Sequence, residues 1–171
     1  MASGAERRIF WVTAVAIVVA DVVTKLVAVA LLTRHQPVPV IGDTVQLRLV
    51  YNQCAAFGVC LGEYSRWIFF GLAIAALVVL GAMVRATRSD DHVRIVALSL
   101  VCAGAVGNLI DRLRNTFGVV DFVDVGVGAL RWPTFNVADS AITVGAITLA
   151  VSLWLEGRHH ESAKEARAAE P

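Results

Sequence analysis

Four long apolar stretches, each broken off by polar residues, set the pattern of the chain: Ile9 to Leu32, Trp67 to Val84, Val93 to Ile110 and Val137 to Leu155. Each has about the 17–25 residues needed to cross a hydrocarbon core. Lipid offers backbone N–H and C=O groups no other partner, so each stretch is expected to be helical, the third running on to Arg112. An even number of crossings puts both termini on one side. The expected fold is a membrane all-α protein with a small β element, with residues 1–171 forming a single membrane-embedded domain.

The segments between the spans differ in character. Thr33 to Arg66 carries Pro37, Pro39 and a Gly42-Asp43 turn signal. Val45 to Tyr51 follows, and its partial alternation predicts a strand in a small sheet or hairpin on the membrane surface. Arg85 to His92 is short and polar. Leu113 to Phe135 reads as an outer loop with Asp121 and Asp124 in a Val-Val-Asp-Phe-Val-Asp run. Asn136 is placed to cap the last helix, and Asp139 falls in its first turn, where the helix dipole favours a negative charge. The polar segment 156–171 is expected to be a frayed tail.

Composition agrees with a membrane chain: 57% of residues are hydrophobic, against roughly 45–50% in soluble domains. A net charge of +1 leaves no basic stripe for a nucleic-acid partner. Cys54, Cys60 and Cys102 fit no zinc or haem spacing, and His159 and His160 have no third ligand nearby, so no metal and no cofactor are expected. Cys54 and Cys60 share the first outer segment, where a disulfide is possible, although a separation of six residues does not fix its geometry. Eight Lys and Arg residues on the terminus-bearing side oppose six on the other, with Arg85, Arg88 and Arg94 on a short connection. That bias puts the termini in the cytoplasm. Arg7 and Arg8, with Ala28-Val-Ala30 downstream, also fit a cleaved leader, but the apolar run has the length of a retained span.

Polar residues inside the spans carry the functional signal, because ionisable groups in lipid are costly. Asp21 lies roughly 18 Å and Lys25 roughly 24 Å along the first helix, an i,i+4 pair that reads as structural. Asn108, Asp111 and Arg112 end the third span, and Asn136 and Asp139 open the fourth. All fall in one leaflet. Two carboxylates sharing such a site cannot both ionise comfortably, so one serves as acid and the other as base, an arrangement able to hydrolyse a peptide. Composition leaves open which of Asp111, Asp121, Asp124 and Asp139 form the pair. A transporter would place its polar residues near the midplane and often repeat its halves; here the cluster sits at one edge and no repeat is visible. A purely structural four-span protein leaves Asp21, Lys25 and Asp139 without a purpose.

Five ordered blocks cover nearly all of the chain apart from its polar ends: Asp21-Val-Val-Thr-Lys25, Asn52-Gln-Cys-Ala-Ala-Phe57, Gly107-Asn108-Leu-Ile-Asp111-Arg112, Val120-Asp121-Phe122 and Phe135-Asn136-Val-Ala-Asp139-Ser-Ala-Ile142. Together they resemble the lipoprotein signal peptidase (signal peptidase II) family of bacterial plasma membranes. The resemblance implies a membrane aspartyl endopeptidase with four transmembrane helices and an extracytoplasmic β-cradle. It implies Asp121 and Asp139 as the catalytic pair. Asn108, Arg112 and Asn136 would line the site, and Asp21, Lys25 and Asn52 would support it or contact substrate. Asp111 would be structural beside Arg112, and Asp124 matches no motif position.

The substrate implied is a diacylglyceryl-modified prolipoprotein, cut before its lipidated cysteine near the outer leaflet, with membrane lipids around it. Cyclic peptide inhibitors of the globomycin type are implied as well, and nothing requires more than a monomer. One departure stands out: Cys54 occupies a place where the family usually has glycine. Either the backbone there needs glycine's freedom, or Cys54 has gained a disulfide with Cys60.

Overall fold

The structure, a computed structural model, describes residues 4–54, 60–88 and 90–168, with residues 159–168 described by backbone alone. Met1–Ser3, the Ala55–Phe57 part of the second block, the side chains of His159 and His160, and residues 169–171 of the tail lie outside the described residues. Helix α1 spans Gly4–Leu31, strands β1 and β2 span Val38–Ile41 and Val45–Asn52, and α2 spans Ser65–Ala86 after a 3-10 turn at Gly62–Tyr64. Next come α3 at His92–Arg114, β3 at Val119–Val127, β4 at Leu130–Arg131 and α4 at Val137–Ala168. Among the described residues, four helices are long and apolar enough to cross a membrane.

Helix α3 is the centre of the bundle, and α1, α2 and α4 pack around it. Its buried face includes Ile95, Ala97, Leu98, Ala103, Gly104 and Gly107. Small residues matter here because lipid supplies no hydrophobic drive between helices, so association rests on close backbone approach. A Cβ on Gly104 would run into the Ala138 carbonyl and Ile142 of α4, and one on Gly145 would meet the Ala97 carbonyl and Val101 of α3. Helix α2 stands at the edge, with Trp67, Leu72, Val78 and Val79 exposed, the face expected of a helix that meets lipid. Asp91 caps α3 by accepting from the Arg94 N–H at 2.9 Å.

The strands form one antiparallel sheet in the order β1-β2-β3-β4. Asn52 pairs with Val119 and Val50 with Asp121, and a register shift interrupts β2 between Leu47 and Val50. Phe135 bridges to Val123, its carbonyl accepting from the Val123 N–H at 2.8 Å. That bridge fastens the sheet to the start of α4.

Two expectations change. The segment expected to be a loop between α3 and α4 contains the long strand β3, with Val119, Val120, Asp121, Phe122 and Asp124 all buried. Burial on both faces removes the polar–apolar alternation by which a strand is recognised. The segment expected to fray continues α4 as helix to Ala168. Its Glu, Ala, Lys and Arg residues are strong helix formers.

Candidate active site

Lys25 is the first fixed point of the site. It is 3% exposed, and its ammonium reaches Asp21 Oδ2 at 2.8 Å, Asp111 Oδ2 at 2.9 Å and Asn108 Oδ1 at 3.1 Å. An ammonium has three donors, and here each finds an acceptor. The Asp21–Lys25 pair is therefore present as read from the i,i+4 spacing, but it belongs to a wider network. Asp21 Oδ1 accepts from the Ala138 N–H at 2.9 Å, filling an otherwise unsatisfied donor in the first turn of α4. Gly107 is required for this approach, since a Cβ there would meet the Asp21 carboxylate.

Asn108 carries the network onward. Its Oδ1 also accepts from Asn136 Nδ2 at 3.2 Å, and its own Nδ2 donates to Asp139 Oδ1 at 2.8 Å. Asn136 caps α4: its Oδ1 accepts from the Asp139 N–H at 2.8 Å, while the Asn136 N–H donates to Asp139 Oδ2 at 3.3 Å. This is the reciprocal logic of a capping box, with Asp in the third helical position. The remaining side-chain donor of Asn136 goes to Asp121 Oδ1 at 2.7 Å and to the Val120 carbonyl at 3.2 Å. One fully buried amide thus touches both Asp121 and Asp139.

Asp121 is 2% exposed and receives a second donor, Asn52 Nδ2, on Oδ2 at 3.1 Å. Burial, and then the nearby charge of Asp139, push its carboxyl up to about 7; the Asn52 and Asn136 donors and Lys25 pull the other way. Asp139 is only partly buried. The two carboxyl groups therefore sit in unlike surroundings, one enclosed by β2, β3 and α4 and the other open on one side. Gly118 holds the Asn52 side in place: its φ of +105° suits glycine, and a Cβ would collide with the backbone of Asn52 and Gln53.

Arg112 completes the rim, its guanidinium donating to the Asn108 carbonyl at 3.3 Å and to the Cys54 carbonyl at 3.4 Å. Cys54 is bonded to Cys60 in a disulfide, so of the two readings of the Cys54 departure, the structure contains the cross-link. Among the described residues, no three His, Cys, Asp or Glu side chains converge as a metal-holding group.

The residues singled out in the sequence, Asp21, Lys25, Asn52, Asn108, Arg112, Asp121, Asn136 and Asp139, all join this cluster. Asp111, expected to be structural near Arg112, makes its direct contacts with other groups. Its carboxylate binds Lys25 and accepts from the Val120 N–H at 3.1 Å, tying α1 to β3. Asp124 lies outside the cluster, between Arg48 at 3.2 Å and Arg131 at 2.9 Å. Arg66 was missed. Its Nε donates to the Arg112 carbonyl at 2.6 Å and its Nη2 to the Leu113 carbonyl at 3.3 Å, satisfying the C-terminus of α3 beneath the rim. A lone Arg at the start of a span carries no spacing signal that would have found it.

Comparison with known proteins gives a consistent answer. A family described as signal peptidase (SPase) II matches residues 13–155. A lipoprotein signal peptidase of Syntrophotalea carbinolica is 41% identical over 160 residues, covering 92% of this chain and 98% of the relative. Another from Treponema denticola is 41% identical over 165 residues, covering 91% of this chain and 94% of the relative. A solved structure described as a bacterial membrane enzyme superposes with a TM-score of 0.75 at 32% identity, covering 86% of this chain and 88% of that one.

Proposed function

Because the chain belongs to the signal peptidase II family, we propose that it is an aspartic endopeptidase that removes signal peptides from diacylglyceryl-modified prolipoproteins, cutting before the lipidated cysteine. The observation that carries this reading is Asn136, whose side-chain Nδ2 donates to the Asp121 carboxyl and whose backbone N–H donates to the Asp139 carboxylate, while its Oδ1 accepts from the Asp139 backbone N–H. Two acids held by one rigid cap are positioned to act on one amide.

Asp121, buried and with its proton held up to about 7, is the acid. Asp139, at a helix N-terminus and open on one side, is the base. Asp139 takes a proton from water as the water oxygen bonds to the scissile carbonyl carbon, and Asp121 gives its proton to the carbonyl oxygen. The tetrahedral intermediate then collapses. Its hydroxyl proton returns to Asp121, the C–N bond breaks, and the proton on Asp139 passes to the departing amine. Asn52 and Asn136 orient Asp121, Asn108 orients Asp139, and Arg112 lines the entrance. Asp21 and Lys25 support this arrangement from behind.

The site lies at the end of the bundle away from both termini. With the termini cytoplasmic, it sits near the outer leaflet of a bacterial plasma membrane, where the lipid chains of a precursor are anchored. The exposed apolar residues Val38, Ile41, Val127 and Leu130 of the sheet support a cradle lying against that surface. Globomycin-type cyclic peptides would compete for the same cleft, and the enzyme acts as a monomer.

The test is cleavage of a synthetic lipidated precursor by protein reconstituted in vesicles. Wild type should cleave it, while Asp121→Asn and Asp139→Asn should each lose turnover with helical content unchanged. Turnover retained by either variant removes that residue from the pair. Solute flux without cleavage would point to a transporter instead.

A further inference from the structure

At the end of the bundle opposite the carboxyl pair, α1 and α2 both rest on α3 but diverge from one another, leaving a cavity of about 750 Å³. Its floor is Ile95, Cys102, Ala103 and Val106 of α3, and its walls include Val15 and Val18 of α1 and Leu77 of α2. At the mouth, the lining charges are Glu6, Arg7 and Arg85. Glu6 is 2% exposed, whereas both arginines are exposed. Among the described residues neither Arg7 nor Arg85 has an ion-pair or hydrogen-bond partner. The mouth is therefore net positive, with two available guanidinium groups above an apolar slot.

We propose that this cavity binds an anionic phospholipid from the leaflet opposite the carboxyl pair, its phosphate between Arg7 and Arg85 and an acyl chain along the slot. Basic pockets between transmembrane helices suit anionic headgroups, and guanidinium forks match phosphate oxygens. Charge also selects against the other apolar occupant available to such an enzyme. A signal peptide carries a positive n-region ahead of its apolar core, and that region would meet Arg7 and Arg85 in like-charge contact. Gly81 opens the wall of the slot: a Cβ there would meet nothing within 4 Å. A large side chain at that position can fill the slot without displacing backbone. The inference rests on the helix arrangement and is independent of the catalytic reading.

Native mass spectrometry of the purified full chain, given equal amounts of phosphatidylglycerol and phosphatidylcholine in mild detergent, tests it. Wild type should retain phosphatidylglycerol in severalfold excess. The Arg7→Gln/Arg85→Gln variant should lose that preference, and Gly81→Phe should lose retention of both lipids. Equal retention by wild type, or an undiminished preference in the double variant, overturns the proposal. So does full retention by Gly81→Phe, which would place the lipid elsewhere. A synthetic signal peptide that displaces phosphatidylglycerol from wild type at equal concentration would assign the slot to substrate and overturn it too.

Discussion

Lys25 Nζ donates to Asn108 Oδ1 at 3.1 Å, joining α1 to α3 across 83 residues of sequence. The same ammonium compensates Asp21 and Asp111, and removing one partner of a buried ion pair costs about 3–5 kcal/mol. Lys25→Met is therefore expected to lower the unfolding temperature sharply in detergent. Adding Asp21→Asn should recover part of the loss by removing the stranded charge. An unchanged unfolding temperature in Lys25→Met would show that Lys25 does not hold the bundle together.

The carboxyl pair predicts non-additive kinetics. General acid–base catalysis contributes about 10²–10⁴-fold per group, and groups that act as one unit do not add. Asp121→Asn and Asp139→Asn should each reduce kcat by at least that range, and the double variant should be little worse than either. A multiplicative double loss, measured on the lipidated precursor, would mean that the two act in separate steps. Added chelator should leave wild-type turnover unchanged.

Asp121 also predicts a pH dependence. Its carboxyl, pushed up to about 7 by burial and then by Asp139, is protonated below that pH and ionised above it. Turnover should fall as pH rises through about 7, by roughly tenfold per unit on the alkaline limb. The folded chain holds a proton that an unfolded carboxyl of 3.8 would release, so this group's contribution to stability declines as pH rises from about 4 to about 7. The Asn52 donor favours the ionised form of Asp121. Asn52→Leu should therefore move the alkaline limb to higher pH, and a limb that stays in place would separate it from Asp121.

Asp124 should behave differently. It lies three residues beyond Asp121 on β3, which places it on the other face of the strand, and it is clamped by Arg48 and Arg131. Hydrogen bonds to charged groups are worth about 1.5–3 kcal/mol. Asp124→Asn should lower thermal stability by up to that amount and leave kcat unchanged. A kcat loss as deep as that of Asp121→Asn would place Asp124 among the reacting groups.

The spans were legible because lipid imposes one length and one composition on every crossing, and Asp21, Lys25 and Asp139 stood out against that apolar background. What remained hidden was pairing. Strand β3 could not be read because burial on both faces erased its alternation, and Asp124 drew attention for a charge that in fact ties β2 to β4. Asp111 was expected to be structural near Arg112, but its ion-pair partner Lys25 comes from another helix and no spacing in the sequence announces it. Arg66 acts through backbone carbonyls, and no side-chain motif records that. Motif order located the cluster, but only the meeting of four elements at Asn136 and Asn108 explains why both are asparagine: each must donate and accept at once.

The assembly of this cluster from α1, α3, β3 and the opening turn of α4 has a bearing on biogenesis. While the ribosome is still feeding the earlier helices into the bilayer, Asp121 has no cap to align it and Asp139 has not been synthesised. On the proposed reading, a half-inserted nascent chain lacks the completed carboxyl pair. Hydrolysis can, on that reading, begin only once the last crossing docks.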